Sequence, residues 1–180
     1  MSIWLAVSGL FLCIVLAAAG AVWYFGPERV WRLFGPADLG PVDFETLQRR
    51  SRPTDALACP NGLCRIETDI LPPVYPVNVP TLRKAMSRAL MSERRLTLVD
   101  IDDRLPQDRY VQRSETLRFP DTIVVRYVAR TGGGSTVAIY SRSQLGRNDL
   151  GVNHNRVERW LRKLSREVAK MRSEAEAVRQ

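Results

Sequence analysis

Apolar residues fall into three patterns along the chain. From Ile3 to Phe25 they run without a single charged residue, and as a helix this stretch would reach roughly 34 Å, enough to cross a bilayer. Trp23 and Tyr24 close it, where amphipathic rings favour the headgroup layer, and Arg29 and Arg32 follow. In the second pattern apolar residues recur at three and four. Leu82, Ala85, Met86, Ala89 and Leu90 form one stripe, introduced by Pro72, Pro73, Pro76 and Pro80. Val157, Trp160, Leu161, Leu164, Val168 and Met171 form another, on a helix expected from about Asn153.

The third pattern is alternation with a period of two, and it predicts strands at 96–102, 109–117, 122–130 and 136–143. The clearest places Ile123, Val125, Tyr127 and Ala129 on one face and Val124, Arg126 and Val128 on the other. Thr131-Gly132-Gly133-Gly134-Ser135 links it to the next strand and reads as a hairpin turn, because a phosphate-binding loop would lead into a helix. The 109–117 segment carries polar groups on both faces. It fits an edge strand with one solvated face, the alternative being a polar row that lines a cavity.

Short connections between these strands require an antiparallel sheet. The expected fold is α+β: an N-terminal transmembrane helix, then a two-layer domain in which two helices cover one face of a four-stranded antiparallel sheet. The boundaries expected are an anchor at 1–27, a juxtamembrane collar at 28–58, the α+β domain at 59–171 and a helical tail at 172–180. Within the collar, Glu28 to Phe34 reads as a short helical turn at the membrane surface. Val42 to Arg50 reads as a short helix capped by Asp43, with Phe44 and Leu47 on one side. A cleaved signal peptide competes with the anchor, since Ala17 to Ala21 offers small-x-small sites, but apolar character continues past them to Phe25.

Charge and cysteines bear on compartment. The net charge of +8 belongs wholly to the residues after Pro27. Arg29, Arg32, Arg49, Arg50 and Arg52 argue for a cytoplasmic domain on the positive-inside rule. Cys59 and Cys64 argue the other way. They bracket the turn-forming Pro60-Asn61-Gly62-Leu63, and a disulfide there would need an oxidising compartment such as a periplasm, whereas a pair of free thiols would not. Cys13 lies in the apolar run as a packing residue.

The candidate chemistry lies between Tyr140 and Leu161. Ser141, Arg142, Ser143, Gly146, Asp149, Gly151, Asn153 and Arg156, together with the upstream segment from Arg52 to Cys64, resemble the uncharacterised family DUF1499 from about Ser51 to Leu164. The resemblance departs at Pro53-Thr54, where the family has Pro-Asn. It implies an exported or membrane-anchored protein, which tilts the orientation towards the periplasmic side of an inner membrane, and it implies no activity.

The residue types themselves suit a strand-to-helix connection: Gly146 and Gly151 for positive φ, Asp149 for backbone amides, Asn153 as N-cap. A sharper expectation is an anion site in which Arg142, Arg147, Asn153 and Arg156 gather at the helix start to hold an anionic lipid headgroup, carboxylate or phosphate. The alternative is a small hydrolase built from His154, Asp149 and Ser141 or Ser143. Two cysteines and one histidine do not make a metal site, so neither metal nor cofactor is expected. The basic final helix, at a pI near 10.0, suits anionic lipid as well as nucleic acid, and nucleic acid is not favoured.

Overall fold

The computed structural model describes residues 2–49 and 52–177; Arg50, Ser51 and the last three residues of the expected tail lie outside it. Helix α1 covers Ser2–Phe25. Its span-length window, Ala6–Tyr24, buries nothing against the rest of the protein. Gly26 then turns the chain into a five-residue helix, α2, at Pro27–Trp31, continued by a 3-10 turn at Arg32–Phe34.

Beyond it lies an α+β domain with five strands: β1 Asp55–Ala58, β2 Leu96–Asp102, β3 Gln107–Arg113, β4 Pro120–Ala129 and β5 Ser135–Ser143. Helix α3, Val79–Leu90, precedes β2, and α4, Val152–Ala177, follows β5. The sheet order is β1-β5-β4-β3-β2, with every pair antiparallel. The triple-glycine segment closes the β4–β5 hairpin, with Arg130 N–H donating to the Gly134 carbonyl at 3.1 Å.

Two expectations change. The sheet has five strands rather than four, because β1 is a four-residue, alanine-rich piece with no readable alternation, and it completes the sheet by adding to the outer side of β5. The second expected strand is also not an edge. It ends at Arg113, residues 114–119 turn, and β3 is paired on both sides. Its polar residues are tolerated because each row finds partners. Asp108 and Gln112 bond to side chains from α3, α4 and the loop between α3 and β2 on one face. On the other face Arg109 pairs with Asp38 at 2.9 Å and Asp100 at 3.0 Å, and Arg113 with Glu28 at 3.5 Å.

Helices α3 and α4 cover one face, where Ile123, Val125, Tyr127, Val137 and Ile139 meet Leu82, Met86, Val157, Trp160 and Leu164. Trp160, fully buried, stands edge-on to Tyr110 at 5.8 Å. The opposite face is not open. Residues 35–49 cross it and place Phe44 and Leu47 on Leu57, Val124, Ala138 and Tyr140, beside Cys59. No short helix forms there: Asp43 instead closes a single turn by accepting from the Glu45 amide at 3.0 Å and the Thr46 hydroxyl at 2.9 Å. Arg49 then ties this segment to β1 through Asp55 and Asp69. Cys59 and Cys64 are joined by a disulfide across the Pro60–Leu63 turn, with Cα atoms 6.3 Å apart.

Candidate functional site at the head of the C-terminal helix

On β5, Ser141 and Ser143 point to the helix side and Arg142 to the other, as strand geometry requires. On α4, Asn153 and Arg156 fall in register with Val157, Trp160 and Leu164. The stripe that buries the helix therefore carries two polar residues at its upper end. Both are enclosed, Asn153 completely and Arg156 to within 4 % of its surface. Burying a guanidinium is tolerable only when its donors are satisfied and its charge is opposed.

Both conditions hold. Arg156 donates from Nε to Gln112 Oε1 at 2.7 Å, from Nη1 to Ser141 Oγ at 2.9 Å and to Asn153 Oδ1, and from Nη2 to Asp121 Oδ2 at 2.6 Å. The Ser141 hydroxyl in turn donates to Asn153 Oδ1 at 2.6 Å. The Asn153 amide donates to Ser143 Oγ at 3.0 Å, to Asp149 Oδ2 at 2.7 Å and to the Thr54 carbonyl at 3.1 Å. That last bond uses a main-chain oxygen, so it does not depend on the Thr54 side chain.

Asp149, not Asn153, caps α4. Its carboxylate accepts from the Gly151 amide at 3.0 Å and the Asn153 amide at 2.9 Å. A carboxylate here opposes the helix dipole and fills the place an exogenous anion would take. Gly146 and Gly151, at φ of +102° and +77°, supply the left-handed backbone that brings Asp149 into position.

The polar chain continues along α4. Gln112 Nε2 donates to Glu93 Oε2 at 3.1 Å, and Glu93 also pairs with Lys163 at 2.7 Å and Arg159 at 3.2 Å. Burial raises the Glu93 pKa, but the hydrogen bonds from Arg159, Lys163 and Gln112 outweigh that and hold it at about 2, against an ordinary 4.5. A depressed carboxyl stabilises the fold fully above its unfolded pKa and loses that contribution as pH falls towards the folded one. In urea unfolding across a pH series, Glu93→Gln is therefore expected to be less stable than the wild type at neutral pH, with the gap closing between pH 4.5 and about 2. A gap that stays constant through that window would contradict the assignment.

Of the four residues expected to gather around an anion, Asn153 and Arg156 meet, but each other rather than an open site, and Arg142 and Arg147 lie elsewhere. Arg156 is consumed inside. Arg142 lies on the far sheet face, over the Tyr140 ring, and donates to the Leu39 and Gly40 carbonyls at 2.9 and 2.8 Å. Arg147 is exposed in the connecting loop. A cavity of about 240 Å³ does open beside this loop, but the charged groups on its wall are the carboxylates of Asp121 and Asp149. Nor do the ingredients of a hydrolase meet. Ser141 and Ser143 face Asn153, while His154 is half exposed with Nε2 at 3.6 Å from Glu158 Oε1.

A second buried polar cluster was not legible beforehand. Arg83 of α3 clasps Asp108 of β3, whose other oxygen accepts from the Tyr127 hydroxyl at 2.8 Å and the Tyr110 hydroxyl at 3.4 Å. Burial raises both phenol pKa values, and the neighbouring Asp108 charge raises them further, so both stay protonated donors. The cluster floors an open groove of about 600 Å³ between α3 and β2. Its members come from three elements distant in sequence, and no local spacing announces them.

Residues 54–164 match the model of a family described as a protein of unknown function, DUF1499. The chain belongs to this family. No curated protein and no solved structure matches it. In this DUF1499 member the Ser-Arg-Ser, Asp-x-Gly-x-Asn and Arg residues mostly build one inward-facing clamp that fastens the head of α4 to β5, β4, β3 and the carbonyl preceding β1. Arg142 alone turns to the collar.

Proposed function

We propose that the protein is a single-pass inner-membrane protein whose domain stands on the oxidising, periplasmic side and works as a non-catalytic recognition or structural module held close to the bilayer. One observation supports the non-catalytic part: apart from Arg142, which holds the collar, the polar side chains of the family motif are engaged with one another and with buried neighbours. An exposed nucleophile paired with a base is the minimum for covalent hydrolysis, and Ser141 Oγ instead lies between Arg156 and Asn153. The unpacked, charge-free α1 supports retention as an anchor, and the Cys59–Cys64 bond supports the oxidising side, since such bonds persist outside reducing compartments.

Orientation and disulfide can be tested together on intact spheroplasts, using a membrane-impermeant maleimide. Cys59 and Cys64 should react from outside, and only after reduction with a thiol reductant. Labelling that requires lysis but no reductant would place the domain in the cytoplasm and overturn the proposal. The mass of the purified protein decides between an anchor and a cleaved leader: retention of the first 25 residues is expected.

A further inference from the structure

Where α1 ends, three guanidinium groups line one groove. Arg29 and Arg32 come from the short helical segment after the anchor and Arg118 from the β3–β4 turn, and together they border a cleft of about 420 Å³. The cleft is held open by anchoring contacts rather than by chance proximity. The Trp31 ring packs on Phe119 at 4.6 Å and its indole N–H donates to the Leu117 carbonyl. The one carboxylate on the lining, Glu28, is turned towards Arg113.

Among the described residues no carboxylate lies within ion-pairing distance of Arg29, Arg32 or Arg118, whereas Arg109, Arg113 and Arg126 on the collar side of the sheet are all paired. Apolar side chains close to these arginines in the chain stay largely in the open: Leu33 is 84 % exposed, Leu117 50 % and Phe34 63 %, the last with its ring centroid 5.9 Å from that of Trp31. Unopposed cations rimmed by bare apolar groups, directly beyond a span-length helix, match the chemistry of a bilayer's interfacial layer.

We infer that this cleft binds the phosphate headgroup of an anionic phospholipid, with Leu33, Phe34 and Leu117 entering the acyl boundary around it. The inference rests on α1 being a retained membrane anchor. The guanidinium fork suits a phosphate, and a cation close to an anionic surface contributes about fivefold in affinity. The geometry also gives Arg29 and Arg32, the basic residues nearest the end of α1, a role independent of topology, so their charge need not argue against an oxidising location for the domain.

The test uses full-length protein reconstituted in vesicles of equal phosphatidylglycerol and phosphatidylcholine. Detergent extraction is then followed by measurement of the lipids that co-purify. The ratio of phosphatidylglycerol to phosphatidylcholine that co-purifies should exceed the bulk ratio of one by about tenfold. The enrichment should fall to unity in the Arg29→Gln/Arg32→Gln/Arg118→Gln variant and persist in Arg147→Gln, which removes an exposed charge elsewhere. Enrichment that survives the triple variant, or that millimolar inorganic phosphate abolishes, would overturn the site as a lipid site. Resistance to alkaline carbonate extraction separates the two proposals. A protein that is extracted refutes the anchor, and one that resists yet shows no enrichment refutes only the headgroup site.

Discussion

Arg156→Ala is expected to destabilise the protein by about 3–5 kcal/mol, the usual cost of removing one partner of a buried, hydrogen-bonded ion pair. The physical reason is what remains behind. Asp121, itself almost fully buried, would keep its charge without a counter-ion, and Gln112, Ser141 and Asn153 would each lose a donor in a region closed to water. Equilibrium unfolding of the full-length chain in detergent measures this, and the loss should appear in the midpoint. A surface-exposed, ligand-binding arginine would behave differently, leaving the midpoint within about 0.5 kcal/mol of wild type. Lysine at this position should rescue little, because one ammonium cannot serve Gln112, Ser141 and Asp121 from a single fork.

Phe44→Ala is expected to cost about as much, ~3–5 kcal/mol, although Phe44 precedes the segment that the family model matches. It is fully buried against Leu57, Val124, Ala138 and Tyr140, and is the largest apolar side chain that residues 35–49 lay on that face of the sheet, beside Leu47. Its removal would leave a cavity under a segment that main-chain and side-chain bonds hold in place: the Leu39 amide to Thr122 Oγ1 at 2.9 Å, Arg142 to the Leu39 and Gly40 carbonyls, and Arg109 to Asp38. Those bonds limit how far the chain can collapse to fill it. Urea denaturation monitored at Trp160, which lies on the other side of the sheet, gives the readout. An unchanged midpoint would mean that residues 35–49 are an appendage rather than a second core layer.

Much of this architecture was legible in periodicity. The stripes on α3 and α4 bury the side chains that their spacing selects, and β4 presents Ile123, Val125 and Tyr127 to the helices as its alternation indicates. Strand β1 escaped because Asp-Ala-Leu-Ala is too short for alternation to register, and its place in the sheet comes from pairing with β5, far along the chain. Strand β3 is not the edge that its polar faces suggest, because its polar residues face other polar residues rather than water.

Arg156 is the instructive case. Its type suggested a solvated or ligand-holding arginine, yet its position, in phase with Val157, Trp160 and Leu164, already placed it on the buried stripe. Helical phase was the stronger signal, and it also located Asn153. What sequence could not supply were the partners, Asp121 and Gln112, because two strands and their turns separate them from α4.

The central claim is that the family motif is a load-sharing internal clamp rather than a binding or catalytic surface. A double-mutant cycle between Arg156 and Asp121 tests it most directly, with Arg156→Ala, Asp121→Ala and the double variant measured by equilibrium unfolding. The clamp predicts strong coupling: the double variant should be less destabilised than the sum of the singles by about 2 kcal/mol or more, since removing both partners leaves no stranded charge. Single effects that add within about 0.5 kcal/mol would mean that the two residues act independently, and would contradict it.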